Sequence, residues 1–126
     1  MSKEVFFEDS YILSETDSRG NITFASESFC TIAGYKIEEL LGKPHNIVRH
    51  PDMPKAAFKM VWDSIATKGF WSGIVKNRCK NGDYYWVYAM ILRNISKSGE
   101  VSYCSVRIKP SREQIANAEK LYATLK

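Results

Sequence analysis

Cysteine is scarce in this sequence, and the few cysteines present do not form a set. The 126 residues include three of them, Cys30, Cys79 and Cys104. An odd number of cysteines without Cys-x-x-Cys spacing indicates neither a disulfide framework nor a zinc site. Free thiols are typical of a reducing compartment, so we expect a cytoplasmic protein.

Long apolar runs are missing as well. No apolar run approaches the ~20 residues that a helix needs to cross a bilayer. The start, Met1-Ser2-Lys3-Glu4, has no signal-peptide apolar core. The sequence as given therefore predicts a soluble chain without direct membrane insertion, although a receptor could hold it at the inner face of a membrane.

Neither charge nor motif content favours nucleic-acid binding or catalysis. Lysine and arginine number 18 against 14 aspartates and glutamates, a net charge of +4, and the basic residues are scattered among acidic ones. A nucleic-acid-binding face usually needs a basic cluster. The sequence also lacks a G-x-S-x-G elbow, a Walker loop and paired catalytic carboxylates, so we expect no enzyme activity.

Turn residues, caps and apolar spacing divide the chain into α+β elements within one domain. The pattern predicts strands at 11–16, 22–25, 72–79, 83–93 and 101–109, and short helices at 26–32 and 37–41. A long helix should run from 54 to 68, and Ser111 with Gln114 forms a capping box for a final amphipathic helix. We therefore expect a lead at 1–10, a sensor domain at 11–110 and a C-terminal signalling helix at 111–126.

Three segments give this order of elements a family likeness. They read PHNIVRHPDMPKAAF at 44–58, WSGIVKNR at 71–78 and KNG at 80–82. Together they resemble the FAD-binding PAS sensor domains of bacterial aerotaxis receptors, over essentially the whole chain. The resemblance implies a PAS fold, in which a five-stranded antiparallel sheet, short helices and one long helix enclose a cofactor cavity. It also implies a redox or oxygen sensor for energy taxis that signals to a chemotaxis-type output module.

Asn77 is the polar residue that strand alternation places on an otherwise apolar face, together with Trp71, Gly73 and Val75. A buried amide needs partners for its donor and its acceptor, and the C4 carbonyl and N3–H of an isoalloxazine offer that pair. The resemblance agrees, since related light-sensing PAS domains contact flavin through an asparagine at this strand position. The alternative is a hydrogen bond to a neighbouring strand or to a buried water.

The Arg49-His50-Pro51-Asp52 cluster comes just before the long helix. The resemblance places flavin-retention residues here. Arg49 could meet the pyrophosphate of FAD, and His50 could donate to phosphate or ribose. Asp52 could orient either one or accept a hydrogen bond from a ribose hydroxyl. Asp52 could instead cap the helix, and Arg49 could merely pair with Asp52. His45, earlier in the segment, either contacts FAD or supports the loop.

Three further residues are candidates to contact the flavin ring. Trp71 could stack on the ring or wall the cavity, and Trp62 could do so from the long helix, where core packing is its expected role. Arg107 stands where the light-sensing PAS domains carry a last-strand glutamine. It either projects into the cavity, where a cation favours reduced, anionic flavin, or is an exposed strand arginine. Val87 replaces a second flavin-binding asparagine of those domains, and 48–52 lacks their adduct-forming cysteine.

The opposite face of the sheet should be apolar. Its expected members are Tyr84, Trp86, Tyr88, Met90, Cys104, Val106 and Ile108. Such a patch is usually covered. The candidates are the aromatic lead with Val5, Phe6 and Phe7, a second copy in a homodimer, and a HAMP-type or chemoreceptor signalling module in the same or another chain.

Two other functions are compatible with the same fold. A haem-binding PAS gas sensor would use His45 or His50 as its axial ligand. A cofactor-free PAS module would mediate dimerisation and bind no prosthetic group. The absorption spectrum of the purified protein distinguishes flavin, haem and the absence of either.

Overall fold

The computed structural model describes residues 2–7 and 11–125. Residues 1 and 8–10 of the expected lead, and residue 126 of the expected C-terminal helix, lie outside the described residues. The strands are β1 Ile12–Thr16, β2 Ile22–Ala25, β3 Phe70–Arg78, β4 Tyr84–Ile95 and β5 Val101–Ile108. The helices are α1 Glu27–Ala33, α2 Ile37–Leu40, α3 Lys55–Lys68 and α4 Arg112–Thr124, with a 3-10 helix at His45–Val48.

The five strands form one antiparallel sheet in the order β2-β1-β5-β4-β3. β1 and β2 pair as a hairpin, and the helical segment then leads to β3 at the far edge of the sheet. β3, β4 and β5 follow as neighbours, which brings β5 beside β1 in the middle. The predicted α+β architecture is confirmed, because every predicted strand and helix is present.

Two helices begin at the caps that the sequence indicates. In α1 the Ser26 hydroxyl accepts a hydrogen bond from the backbone N–H of Phe29 at 3.2 Å, and Gly34 ends the helix with a φ of 78°. In α4 the Ser111 hydroxyl accepts from the N–H of Gln114, whose side chain accepts from the N–H of Ser111. Side-chain caps thus explain why α1 and α4 begin where they do.

The inner face of the sheet carries the core. Asn77 in β3 lies opposite Tyr85 in β4, and Val75 lies opposite Val87. These side chains share one face because residues two apart on a strand point the same way. The helices cover this face, and together they bury a cluster that includes Ile12, Ile22, Phe29, Leu40, Val48, Tyr85 and Val87.

The outer face is covered in part by α4 and by the lead. Ile115 and Ala118 of α4 bury Trp86, and the hydroxyl of Tyr122 donates to the carbonyl oxygen of Ile74. From the lead, the N–H of Val5 donates to the carbonyl of Tyr84 at 2.7 Å. The lead was an expected cover of this face, whereas the docking of α4 was not foreseen from the sequence.

None of the helices in the described ranges combines the length and apolar character that crossing a membrane requires.

Candidate cofactor site

A cavity of about 280 Å³ lies between the inner face of the sheet, the 3-10 helix and α3. The exposed residues among those lining it mark its opening: Arg19, Pro44, Asn46 and Trp62. The remaining walls are buried or partly buried. The cavity therefore has a closed end against the sheet and an open end beside the β1–β2 turn and α3.

Every buried polar or charged residue of the described chain lines this cavity. The five are Ser14, Thr16, Asn77, Ser105 and Arg107. They come from three strands, β1, β3 and β5, that are distant in sequence. Burying polar groups costs free energy unless they find partners. Their convergence on a single cavity indicates a site built for a polar ligand.

Three of these side chains have a buried polar atom that finds no hydrogen-bond partner within the described part of the chain. The atoms are Nδ2 of Asn77, Oγ of Ser105 and Nε of Arg107. Buried polar atoms in folded proteins are usually satisfied, so each unpaired one calls for an explanation. The two nitrogens are donors, and the hydroxyl can donate or accept. The cavity thus presents hydrogen-bond donors that the protein itself does not use.

Arg107 is a buried cation that has no acidic partner among the described residues. Its exposed fraction is 6%, and no carboxylate among the described residues forms an ion pair with it. Burial lowers its pKa from the ordinary arginine value, yet a guanidinium stays protonated in proteins. An unpaired buried charge is costly, and an electron-rich ligand in the cavity would offset that cost.

His45 accepts a hydrogen bond from this arginine. Its Nε2 lies 3.2 Å from Nη1 of Arg107 and 3.0 Å from Oγ of Ser14. Because an arginine N–H only donates, Nε2 carries a lone pair, and the proton of the neutral ring is assigned to Nδ1. Burial, followed by the charge of Arg107, lowers the pKa of His45 to about 3. The imidazole is therefore neutral at physiological pH.

Arg49 lies beside Asn77 at the cavity wall. The backbones of the two residues form an isolated antiparallel bridge, so the segment after the 3-10 helix runs along the edge strand β3. The guanidinium carbon of Arg49 is 3.5 Å from the centroid of the Phe58 ring, a cation–π contact. This arrangement positions one positive charge at the wall formed by α3.

His50 and Asp52 are not among the residues that line the cavity. The His50 ring packs edge-on against Tyr84, with centroids 6.0 Å apart, and its Nδ1 accepts from the backbone N–H of Asp52. Asp52 pairs with Lys76 at 3.1 Å, and the N-cap of α3 is Pro54 rather than Asp52. Burial, and then Lys76, lower the pKa of His50. Both residues support the segment that carries Arg49.

Trp62 and Trp71 both line the cavity, in different settings. Trp62 is 47% exposed and meets the Tyr103 ring edge to face, with centroids 5.2 Å apart. The expectation that Trp62 packs in the core is therefore wrong, because it stands at the opening. Trp71 is partly buried and packs against the core cluster from β3.

Sequence reasoning missed several lining residues, although one of them left a signal. Ser105 alternates with Cys104 and Val106 on β5, and an apolar outer set implies that the polar set faces inward. No such signal marks Ser14 and Thr16, because the order Ile12-Leu13-Ser14-Glu15-Thr16 has an apolar residue on each face. Tyr85 does not line the cavity. It lies opposite Asn77 in the sheet and is fully buried, and burial raises its pKa.

An isoalloxazine ring fits the chemistry of this donor set. The pyrimidine end of a flavin carries carbonyl and ring-nitrogen acceptors and one N–H donor. The unpartnered atoms of Asn77, Ser105 and Arg107 are suited to those groups. Apolar and aromatic side chains, including Val48, Val75 and Trp71, line other parts of the wall. An aromatic ligand with one polar edge would match both the unpartnered polar atoms and the apolar walls.

The sheet order and the cavity beneath a layer of helices define a PAS sensor domain. The model of the PAS fold family matches residues 22–103. The chain therefore belongs to the PAS family.

Two curated proteins are similar in sequence. The aerotaxis receptor of Escherichia coli K12 is 46% identical over 118 residues, which cover 94% of this chain and 23% of the receptor. The nitrogen fixation regulatory protein of Klebsiella pneumoniae is 28% identical over 94 residues, covering 75% of this chain and 19% of that protein. The chain thus spans less than a quarter of the length of either relative.

A solved light-oxygen-voltage domain, studied with a flavin analogue, shares the fold. Its TM-score is 0.75 at 23% sequence identity, over 91% of this chain and 88% of that one. At this identity the likeness shows the fold alone.

Proposed function

We propose that this PAS domain binds FAD non-covalently and acts as a redox or oxygen sensor for energy taxis. The observation that carries the proposal is the convergence of all five buried polar residues of the described chain on one cavity, with three of them retaining unpartnered atoms. The 46% identity to an aerotaxis receptor supports FAD and an energy-taxis role. When bound, the flavin would supply the redox couple, and the domain would serve as a sensor and not as an enzyme.

The chain divides the binding between its strands and the segment before α3. Asn77, Ser105 and Arg107 would hold the polar edge of the ring, and Trp71 would wall it. Arg49 would meet the pyrophosphate, and Trp62 would stand where the rest of the dinucleotide leaves through the opening. His45 fixes Arg107, while His50 and Asp52 hold the backbone that positions Arg49.

The geometry favours flavin over haem. An axial histidine needs a free ring nitrogen aimed at the iron. Nε2 of His45 is instead occupied by Arg107 and Ser14, and a guanidinium so close disfavours a second cation. His50 is not a lining residue. A cofactor-free dimerisation module is less consistent still with a buried, unpaired arginine.

The output is proposed to pass to a HAMP-type or chemoreceptor signalling module, in the same or another chain. The name of the first relative, an aerotaxis receptor, supports a chemotaxis output. The uncovered part of the outer sheet face, with exposed Phe24 and Leu92, is available for such a module or for a homodimer. The domain would then work in the cytoplasm, held at the inner membrane face by its receptor.

The identity of the released cofactor tests the proposal. Heat or acid should release from the purified protein a yellow compound with the mass of FAD. Release of FMN alone would contradict the phosphate role of Arg49, because that role presupposes the dinucleotide. If protein expressed with added riboflavin releases neither FAD nor FMN, the proposal that the domain binds a flavin is refuted.

A further inference from the structure

The indole of Trp71 forms part of the walls of two separate spaces. One is the cavity described above, and the other is a groove of about 380 Å³ along the sheet edge formed by β3, between α3 and α4. The groove is lined mainly by apolar groups, among them Ala57 and Met60 of α3 and Leu121 of α4. A shift of this one ring would therefore change both spaces.

Gly73 permits the position of that ring. A Cβ built on Gly73 would lie 2.5 Å from Cζ2 and 2.7 Å from Cη2 of Trp71, closer than side-chain carbons pack. The other six glycines have a positive φ, whereas Gly73 does not. Glycine is required here for space and not for backbone freedom. Any side chain at 73 would force the indole out of its place along β3.

The groove side of Trp71 is the side on which α4 is seated. The hydroxyl of Tyr122 donates to the carbonyl of Ile74, the residue after Gly73, and Ala118 of α4 is buried beside the same strand. Packed interiors respond to a displaced ring by discrete repacking and not by smooth deformation. A ligand that braces the cavity side of the indole would therefore stabilise the seat of α4.

We propose that Gly73 is a positioning residue for Trp71, and that Trp71 couples occupancy of the cavity to the docking of α4. The indole forms a wall of the cavity and so increases the affinity for the ligand. When the ligand fixes the indole, the backbone amides of α4 are better protected from hydrogen exchange. The coupling rests on the proposed function in taking FAD as the ligand, whereas the positioning by Gly73 holds in the ligand-free protein too. The proposal thus connects α4 with the cavity through the side chain of Trp71.

A double-mutant cycle tests the positioning. Gly73→Ala should lower FAD affinity about tenfold, which is the effect of a coupling of about 1.4 kcal/mol. Trp71→Leu should also weaken binding. In the double variant the added methyl group meets no indole, so Gly73→Ala should then have almost no further effect on FAD affinity or on the stability of the ligand-free protein. Additive losses would overturn the positioning. Ser72→Ala, in the same strand, is the control and should bind FAD normally.

Hydrogen exchange of α4 tests the coupling. In the unmodified chain, saturating FAD should slow hydrogen exchange at 114–122. In Trp71→Leu, exchange at 114–122 should be the same in the FAD-free and the FAD-saturated protein. A ligand effect on α4 that survives in Trp71→Leu would refute the route. If the unmodified chain binds FAD and hydrogen exchange of α4 does not slow, the coupling is refuted. If the unmodified chain binds no FAD, the proposed function and the coupling both fail, and the ligand-free stability cycle still decides the role of Gly73.

Discussion

Nη1 of Arg107 lies 3.2 Å from Nε2 of His45 inside the cavity. The arginine stays charged, and the histidine stays neutral because burial and the arginine lower its pKa to about 3. Neither residue stabilises the ligand-free fold by pairing with an opposite charge. The pair is therefore better explained by a ligand that both residues serve than by the needs of the core.

Replacing the buried arginine should separate stability from binding. We expect Arg107→Met to leave the free energy of unfolding of the ligand-free protein unchanged or to raise it by about 1 to 3 kcal/mol, because an unpaired buried charge is removed. The same change should weaken flavin binding at least about tenfold, since a charge-assisted hydrogen bond contributes roughly 1.5 to 3 kcal/mol. Urea unfolding and flavin titration measure the two effects.

The matched control for that experiment is Arg78→Met, which removes an exposed arginine from β3. Arg78→Met should change neither the free energy of unfolding nor the flavin affinity appreciably. A variant Arg107→Met that unfolds more easily and yet retains its flavin would show that the arginine serves the fold.

The pH dependence of stability should carry the signature of His45. Its pKa is about 3 in the folded state against 6.5 for the free side chain. The unfolded chain therefore binds the extra proton between those values, and the fold loses stability as the pH falls below 6.5. For ligand-free protein we expect this group to account for a loss of about 2 kcal/mol between pH 7.5 and pH 5.

His45→Gln should remove that loss, as measured by urea unfolding at the two pH values. His50→Gln is the comparison, because the pKa of His50 is also lowered but His50 is less buried than His45. Equal pH dependence in the unmodified chain and in His45→Gln would contradict a buried, neutral His45.

Arg49→Ala and His50→Ala should both purify as folded proteins depleted of flavin. Arg49→Ala removes a charge that lines the cavity, whereas His50→Ala loosens the segment that carries Arg49. We therefore expect the greater depletion in Arg49→Ala, measured as the flavin-to-protein absorbance ratio. Lys59→Ala, on the exposed side of α3, is the control. Full flavin occupancy in both variants would remove this segment from the site.

Reduction of the flavin should alter the outer sheet face through Asn77. Reduction changes the hydrogen-bonding groups of a flavin ring, so the Asn77 amide that is proposed to contact the ring would have to turn or change partners. We expect hydrogen exchange of residues 2–7 and 84–90 to differ between oxidised and dithionite-reduced protein. The difference should vanish in flavin-loaded Asn77→Ala. Identical exchange in both redox states of the unmodified chain would rule out this mechanism.

Most of the fold could be predicted because local chemistry specifies it. Ser26 and Gly34 delimit α1, and Ser111 with Gln114 opens α4. The 3-10 helix at 45–48 has no comparable cap, since Pro44 precedes it without a side-chain hydrogen bond. The sequence therefore did not reveal the turn that places His45 beside Arg107.

The site was only partly predictable for a similar reason. Strand alternation places Asn77 on the inner face, and the resemblance to light-sensing PAS domains offers the cavity as one of two positions for Arg107. Both residues lie in the cavity. Side-chain packing decided the rest. Trp71 lies over Gly73, and the fold turns His50 away from the cavity towards Tyr84. Such choices depend on contacts between distant segments, which spacing along the chain does not encode.

The absorption spectrum of the purified, unsupplemented protein tests the central claim most directly. Bound flavin predicts bands at about 370 and about 450 nm, with the longer-wavelength band lost on reduction by dithionite. A single intense band at about 400 to 430 nm would identify haem and contradict the account, as would a protein without visible absorbance that does not take up added FAD.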